Sequence, residues 1–222
     1  MSRRFVLASA SPARYRVLRA AGIDPVVHVS DVDEDAVTAA LPSGTPPAEV
    51  VRALAEAKAR AVVAARCNDM AASREDDSDS VVVACDSMLL LDGRLLGKPH
   101  TAEVAAAQWR QMRGGHADLL TGHHVIRREP GSDPRESSGT SSTTVYFTDA
   151  SDAMIEAYVA TGEPLEVAGA FTLDGYGGWL IERIDGDPSA VIGIGLPLVA
   201  TLLGRVGLAV ADFWSPGTDT AK

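Results

Sequence analysis

The sequence predicts an α/β fold built on a mixed, twisted sheet with flanking helices. Two observations carry this reading. Short apolar runs of strand character alternate along the chain with stretches whose apolar residues recur at helical spacing, the interleaving that packs helices against a sheet. One pair of runs, Met88 to Leu91 and Arg94 to Leu96, is joined by Asp92-Gly93, a strong hairpin signal, so the sheet contains antiparallel pairing.

In chain order, Phe5 to Ala8 reads as the first strand. Ser11 is placed as an N-cap and Pro12 as the first helical residue, and Val17, Leu18 and Ala21 repeat at helical spacing until Gly22. Pro25 to Val29 reads as a second strand, and Thr45 with Pro46 opens a long helix through about Arg66. Val81 to Cys85 is a buried strand that Met88 to Leu91 continues. A helix over Ala102 to Met112 is closed by Gly114-Gly115. Strands follow near Ala117 to Ile126 and Thr143 to Thr148, then a helix over Asp152 to Ala160, a strand over Trp179 to Ile184 and a last helix opened by Pro197. The segments CNDMAASREDDSDS (67–80) and REPGSDPRESSGTSS (128–142) are polar and flanked by strands. They are expected as surface insertions within a single domain spanning 1–222.

A formal net charge of −10 disfavours non-specific binding to nucleic acid or to anionic membranes, which draw on basic surfaces. No apolar run approaches the length of a membrane span, and MSRRFVLASA has too short an apolar stretch for a secretory signal, so the expected location is the cytoplasm. Cys67 and Cys85 form no CxxC pair and read as structural thiols.

Several residues stand out chemically. In LASASPARYRVL (7–18) a strand passes through a tight turn into a helix, leaving backbone N–H groups beside Ser9, Ser11 and Arg14. Such a turn can receive an anion or can simply cap the helix. Lys58 falls on an apolar stripe traced by Val51, Leu54, Ala61 and Ala65, where an ammonium must snorkel, pair or meet a ligand. Asp86 follows four apolar residues in VVVACDSMLLL, and a carboxylate there needs a partner, a metal or a solvent-facing bulge. Lys98 in GRLLGKP is held between Gly97 and Pro99, either as a phosphate clamp or as an exposed turn lysine. Glu34, in the acidic run VSDVDED, is either part of a solvated face or a ligand for a hard divalent cation together with Asp86. The adjacent His123 and His124 face opposite sides of a strand and read as structural. AGAFTLDGYGG (168–178) has neither Rossmann nor P-loop spacing.

The motifs LASASPAR, VDED, LAEAKA, VVACDS, LLGKP, LLTGHHVI, YVATGEPLEVAGAF and VIGIGLPL run in that order over residues 5 to about 208 and resemble the successive motifs of the Maf family. The resemblance implies a two-lobed fold akin to the inosine triphosphate pyrophosphatases, with the site in a cleft. It also implies hydrolysis of nucleoside triphosphates to monophosphate and pyrophosphate with a divalent metal, Mg²⁺ or Mn²⁺, roles in nucleotide pool sanitation and cell-division arrest, and a homodimer. Carried over residue by residue, Ser9 and Arg14 contact phosphate, Lys58 and Lys98 add cations, Asp86 accepts the proton of the attacking water and ligates the metal, and Glu34 is a further metal ligand.

The sequence departs from the pattern where many members carry two adjacent arginines, since Ala13 takes the first of those positions. The positions to which the family's substrate choice is linked are Ala13, Ser87 and Asp174. They match neither the Arg, Thr, Gln set of the dTTP/UTP enzymes nor the Trp, Gln, Glu set of the 7-methyl-GTP enzymes. Asp174 could accept hydrogen bonds from a guanine N1–H and amino group, which leans the expectation to a guanine-type base. The rival reading from another class is a non-catalytic nucleotide-binding regulator of cell division. A phosphatase or kinase of another α/β family has no matching nucleophile or P-loop motif in its favour.

Overall fold

The computed structural model describes residues 3–73 and 79–214. Strand β1 (Arg4–Leu7) leads into helix α1 (Pro12–Ala20), followed by β2 (Val26–Val27), α2 (Glu34–Ala39) and the long α3 (Pro47–Ser73). Next come β3 (Ser80–Leu91), β4 (Arg94–Leu96), α4 (Ala102–Met112), β5 (His116–Arg128) and β6 (Arg135–Phe147). The chain continues through α5 (Asp152–Ala160), β7 (Ile181–Asp185), α6 (Pro188–Ile192) and α7 (Leu196–Arg205). The seven strands form one sheet in the order β2-β1-β3-β5-β6-β7, with β4 paired to β3. β1 runs parallel to β2 and β3, whereas β4 is antiparallel to β3 and β7 to β6, so the sheet is mixed as predicted.

By contacts the chain forms two compact units. One comprises the residues up to Asp86, Gly122–Thr140 and those from Leu196 onward; the other comprises Ser87–Thr121 and Ser141–Gly195. In the first, Val6, Ala8, Val82, Ala84 and Ile126 from the sheet pack with Ala59 and Val62 of α3. Gly122 sets how closely α3 can lie, because a Cβ there would sit deep inside van der Waals contact with the Val51 carbonyl. The second unit is organised around Trp109, which is fully buried. Its ring meets Phe147 and Tyr158 edge-on at 5.5 and 5.6 Å, and its Nε1–H donates to the Ala170 carbonyl at 2.7 Å.

The structure departs from the sequence-based expectations in several places. Arg135–Ser142, expected within a polar loop, are strand residues of β6. Their serines and threonines are half-buried, apart from the exposed Ser142, and β-branched threonine suits a pleated backbone although its polarity resembles that of a loop. α3 continues to Ser73, well into the other expected insertion, of which residues 74–78 lie outside the described residues. The buried side of α3 is Val51, Leu54, Ala55, Ala59 and Val62, while Ala61 is half-buried and Ala65 exposed, so the apolar stripe turns away from the path drawn from the sequence. The two runs of the 80s form one continuous strand, and the acidic run around Glu34 opens a helix, α2.

Candidate active site

Two parallel strands set the frame. β1 and β3 pair with Leu7 opposite Val83, and the Ala8 N–H donates to the Val83 carbonyl at 2.9 Å. Ser9 follows Leu7 by two residues, just past the end of β1, and Asp86 follows Val83 by three, within β3 just beyond its stretch paired with β1, so both lie where that parallel pairing stops. At the turn the Ser11 hydroxyl caps α1 by accepting from the Arg14 N–H at 3.4 Å, with Pro12 in the first helical turn. The buried Ser9 hydroxyl accepts from the Ser11 N–H at 3.2 Å and from Arg14 Nη1 at 2.9 Å. Ser9 therefore ties the guanidinium to the turn.

α3 supplies Lys58 from its buried side, and the side chain is only 12% exposed. Its Nζ lies 2.5 Å from Asp86 Oδ1 and 2.8 Å from Glu34 Oε1. The lysine pairs inward and does not snorkel. Glu34 is the first residue of α2, whose N-cap Asp33 accepts from the Ala36 N–H at 2.9 Å, and this cap orients the start of the helix toward Lys58. Asp86 itself is buried at 6% exposure. Burial pushes its carboxyl above the ordinary aspartate range and Glu34 adds to the rise, against the opposing pull of Lys58 and Arg14. Cys85, one residue earlier, is fully buried and its thiol is pushed up to about 12, chiefly by burial.

Five residues singled out from the sequence, Ser9, Arg14, Glu34, Lys58 and Asp86, thus belong to one unit and form one electrostatic cluster. Ala13, half-buried on α1, is in the same unit. Ser87, Lys98 and Asp174 belong to the other. Ser87 Oγ is 3.1 Å from Thr121 Oγ1, whose single proton goes to the Ala190 carbonyl at 3.1 Å, so Ser87 is the donor to Thr121. Lys98 is 53% exposed and its Nζ stands 3.9 Å from Glu166 Oε2. Asp174 is exposed between the short 3₁₀ turns Ala168–Ala170 and Tyr176–Leu180.

Sequence reading missed Glu163, whose carboxylate gathers three donors from the stretch Thr172–Gly177. The only local signal is Gly162 before it, which takes a left-handed turn at φ 76°. Among the described residues no group of three or more His, Cys, Asp or Glu side chains is arranged to hold a metal ion. Glu34 and Asp86 nevertheless converge on one cation, the Lys58 ammonium.

The family model for Maf-like protein matches residues 4–206. The chain belongs to the Maf family. Its similarity to other proteins extends almost from end to end. A nucleoside triphosphate pyrophosphatase of Nocardia farcinica is 62% identical over 214 residues, covering 96% of this Maf chain and 98% of that protein. Proteins of the same name from Rhodococcus jostii and Mycolicibacterium gilvum are 56% and 54% identical, covering 95% and 96% of this Maf chain and 96% and 99% of their own lengths. Among the described residues of this Maf protein no helix is long and apolar enough to cross a membrane.

Proposed function

We propose that this Maf protein is a nucleoside triphosphate pyrophosphatase that cleaves the α–β phosphoanhydride to give a nucleoside monophosphate and pyrophosphate, with Asp86 as the base. The observation that carries the reading is the buried Asp86 carboxylate, raised by burial, set 2.5 Å from Lys58 and in one electrostatic cluster with Arg14 of the Ser9–Arg14 turn. The names of the Nocardia, Rhodococcus and Mycolicibacterium relatives point to the same reaction.

Asp86 accepts a proton from the attacking water, and its raised basicity suits this task better than an ordinary carboxylate would. Ser9 and Arg14 hold phosphate oxygens, and Lys58 shares its charge between the carboxylates and the substrate. Arg14 and Lys58 balance Glu34 and Asp86, so these four groups sum to no net charge. A tetra-anionic triphosphate therefore needs positive charge from elsewhere, and Lys98 and a divalent ion answer that need. Two carboxylates already converging on a cation, completed by substrate phosphates, are a donor set that fits Mg²⁺ or Mn²⁺. Bound there, the ion would stabilise the charge that develops on departing pyrophosphate.

Ala13, Ser87 and Asp174 are the residues to which we assign nucleobase choice, with a guanine-type base favoured through Asp174. The protein acts on the cytoplasmic nucleotide pool, as a homodimer. The test is pyrophosphate release from a panel of normal and modified nucleoside triphosphates, with and without chelator. Turnover that chelator abolishes and Mg²⁺ or Mn²⁺ restores supports the reading. Binding without turnover by native protein would leave the regulator reading standing, and dTTP and UTP far outpacing every guanine nucleotide would remove the guanine assignment.

A further inference from the structure

Asp174 sits in the irregular stretch between two short 3₁₀ turns, and that stretch is tied at several points to one carboxylate. Glu163 Oε1 accepts from the Thr172 hydroxyl at 2.5 Å and from the Gly177 N–H at 3.0 Å, while Oε2 accepts from the Tyr176 N–H at 3.0 Å. The Tyr158 hydroxyl, which accepts from the Thr172 N–H at 3.2 Å, also hydrogen-bonds Glu163. The donors flank Asp174 on both sides, so the chain from Thr172 to Gly177 is closed into a loop around the carboxylate. Two glycines let it close. A Cβ on Gly175 would overlap the Glu163 carboxylate, and one on Gly177 would come within 2.5 Å of the Thr172 carbonyl oxygen.

We infer that Glu163 is a positioning residue for nucleobase discrimination, acting through Asp174 by fixing the loop that presents it. The inference rests on the proposed reading of Asp174 as a base contact. A carboxylate is required because every group turned toward it is a donor. Glutamine has the same shape but replaces one acceptor by an NH₂. In one amide orientation that NH₂ faces the Tyr176 N–H, and in the other it faces the Gly177 N–H, so one side of the loop is released either way. A base contact held on a released loop loses the fixed geometry on which discrimination depends, whereas the phosphate-binding residues are not touched.

The experiment compares native protein with Glu163→Gln, Asp174→Asn and the double variant. It measures kcat and KM for a guanine nucleotide and a pyrimidine nucleotide, inhibition by inorganic tripolyphosphate, and the thermal midpoint. Glu163→Gln is expected to lower the ratio of kcat/KM between the two nucleotides by roughly tenfold, mainly through KM, as Asp174→Asn does. The double variant should fall no further than either single one, and tripolyphosphate should inhibit all four proteins alike. If Asp174→Asn shifts the ratio and Glu163→Gln does not, the role of Glu163 is overturned while the base contact stands. If Asp174→Asn shifts nothing, the base contact falls and the inference falls with it. An equal loss for both nucleotides together with weaker tripolyphosphate inhibition makes Glu163 a general structural support, and the inference is lost. Should Glu163→Gln not fold, Thr172→Val, which cuts a single tether, decides the matter by a smaller shift of the ratio in the same direction or by none.

Discussion

Lys58 reaches from the buried side of α3 to within 2.5 Å of Asp86, and each of the two is the reason the other can be buried. Replacing Asp86 by Asn keeps the shape and removes the proton acceptor. Pyrophosphate release is expected to fall by roughly 10²- to 10⁴-fold while nucleotide binding, followed by calorimetry, persists. Replacing Lys58 by Met strands a buried carboxylate, with an expected loss of about 3–5 kcal/mol in urea unfolding, part of which the Lys58→Met/Asp86→Asn double variant recovers. Additive losses in the two single variants would mean that the pair is not coupled.

The Ser9 hydroxyl is the tether of Arg14 Nη1. Ser9→Ala removes a hydrogen bond that orients the guanidinium and also leaves the Ser11 N–H without its side-chain acceptor. KM for the triphosphate is expected to rise by roughly tenfold with a smaller effect on kcat, as loss of one oriented charge-assisted contact should produce. Steady-state kinetics checks this, and an unchanged KM would remove the turn from the binding surface.

Gly122 allows α3 to lie against the sheet at a distance no other residue permits. The atom in the way of a new Cβ is backbone, which cannot rotate aside, so Gly122→Ala is expected to cost about 1–3 kcal/mol in urea unfolding. Turnover should fall as well, because displacing α3 displaces Lys58.

Asp79 makes stability depend on acidity. Burial alone would raise its carboxyl, but hydrogen bonds from Arg127 and Arg3 outweigh this and hold it below its ordinary value of 3.8. A depressed carboxyl contributes stability that is fully present above the unfolded value and is lost as pH falls through the folded one. The thermal midpoint of the native protein is therefore expected to drop steeply below about pH 4, and Asp79→Asn should flatten that drop while lowering the midpoint at neutral pH. Parallel curves for the two proteins would show that Asp79 does not contribute to the acid limb.

The candidate site was legible in the sequence where a residue contradicts its surroundings. Lys58 on a helix stripe and Asp86 in an apolar run each pose a local problem of burial, and the structure answers both with the same ion pair. The helices Ala102–Met112 and Asp152–Ala160 lie where the sequence places them, and the structure shows each opened by its own side-chain cap, Thr101 and Ser151, so their starts are decided locally. The polar half of β6 was not legible, because only neighbouring strands distinguish a Ser/Thr-rich strand from a loop. Glu163 was hidden for a related reason. Its donors from Thr172, Tyr176 and Gly177 lie 9 to 14 residues onward, and two of these three are backbone N–H groups, which have no signature in a sequence.

Cys85 places an oxidisable sulfur immediately before Asp86 in the chain. With no exposed surface and a thiol pushed up to about 12, it stays protonated at neutral pH, and peroxide and alkylating agents act on the thiolate. The fold thus shields the aspartate from damage next door, and the chemistry at Asp86 should continue unchanged through a peroxide exposure that modifies exposed thiols of other proteins.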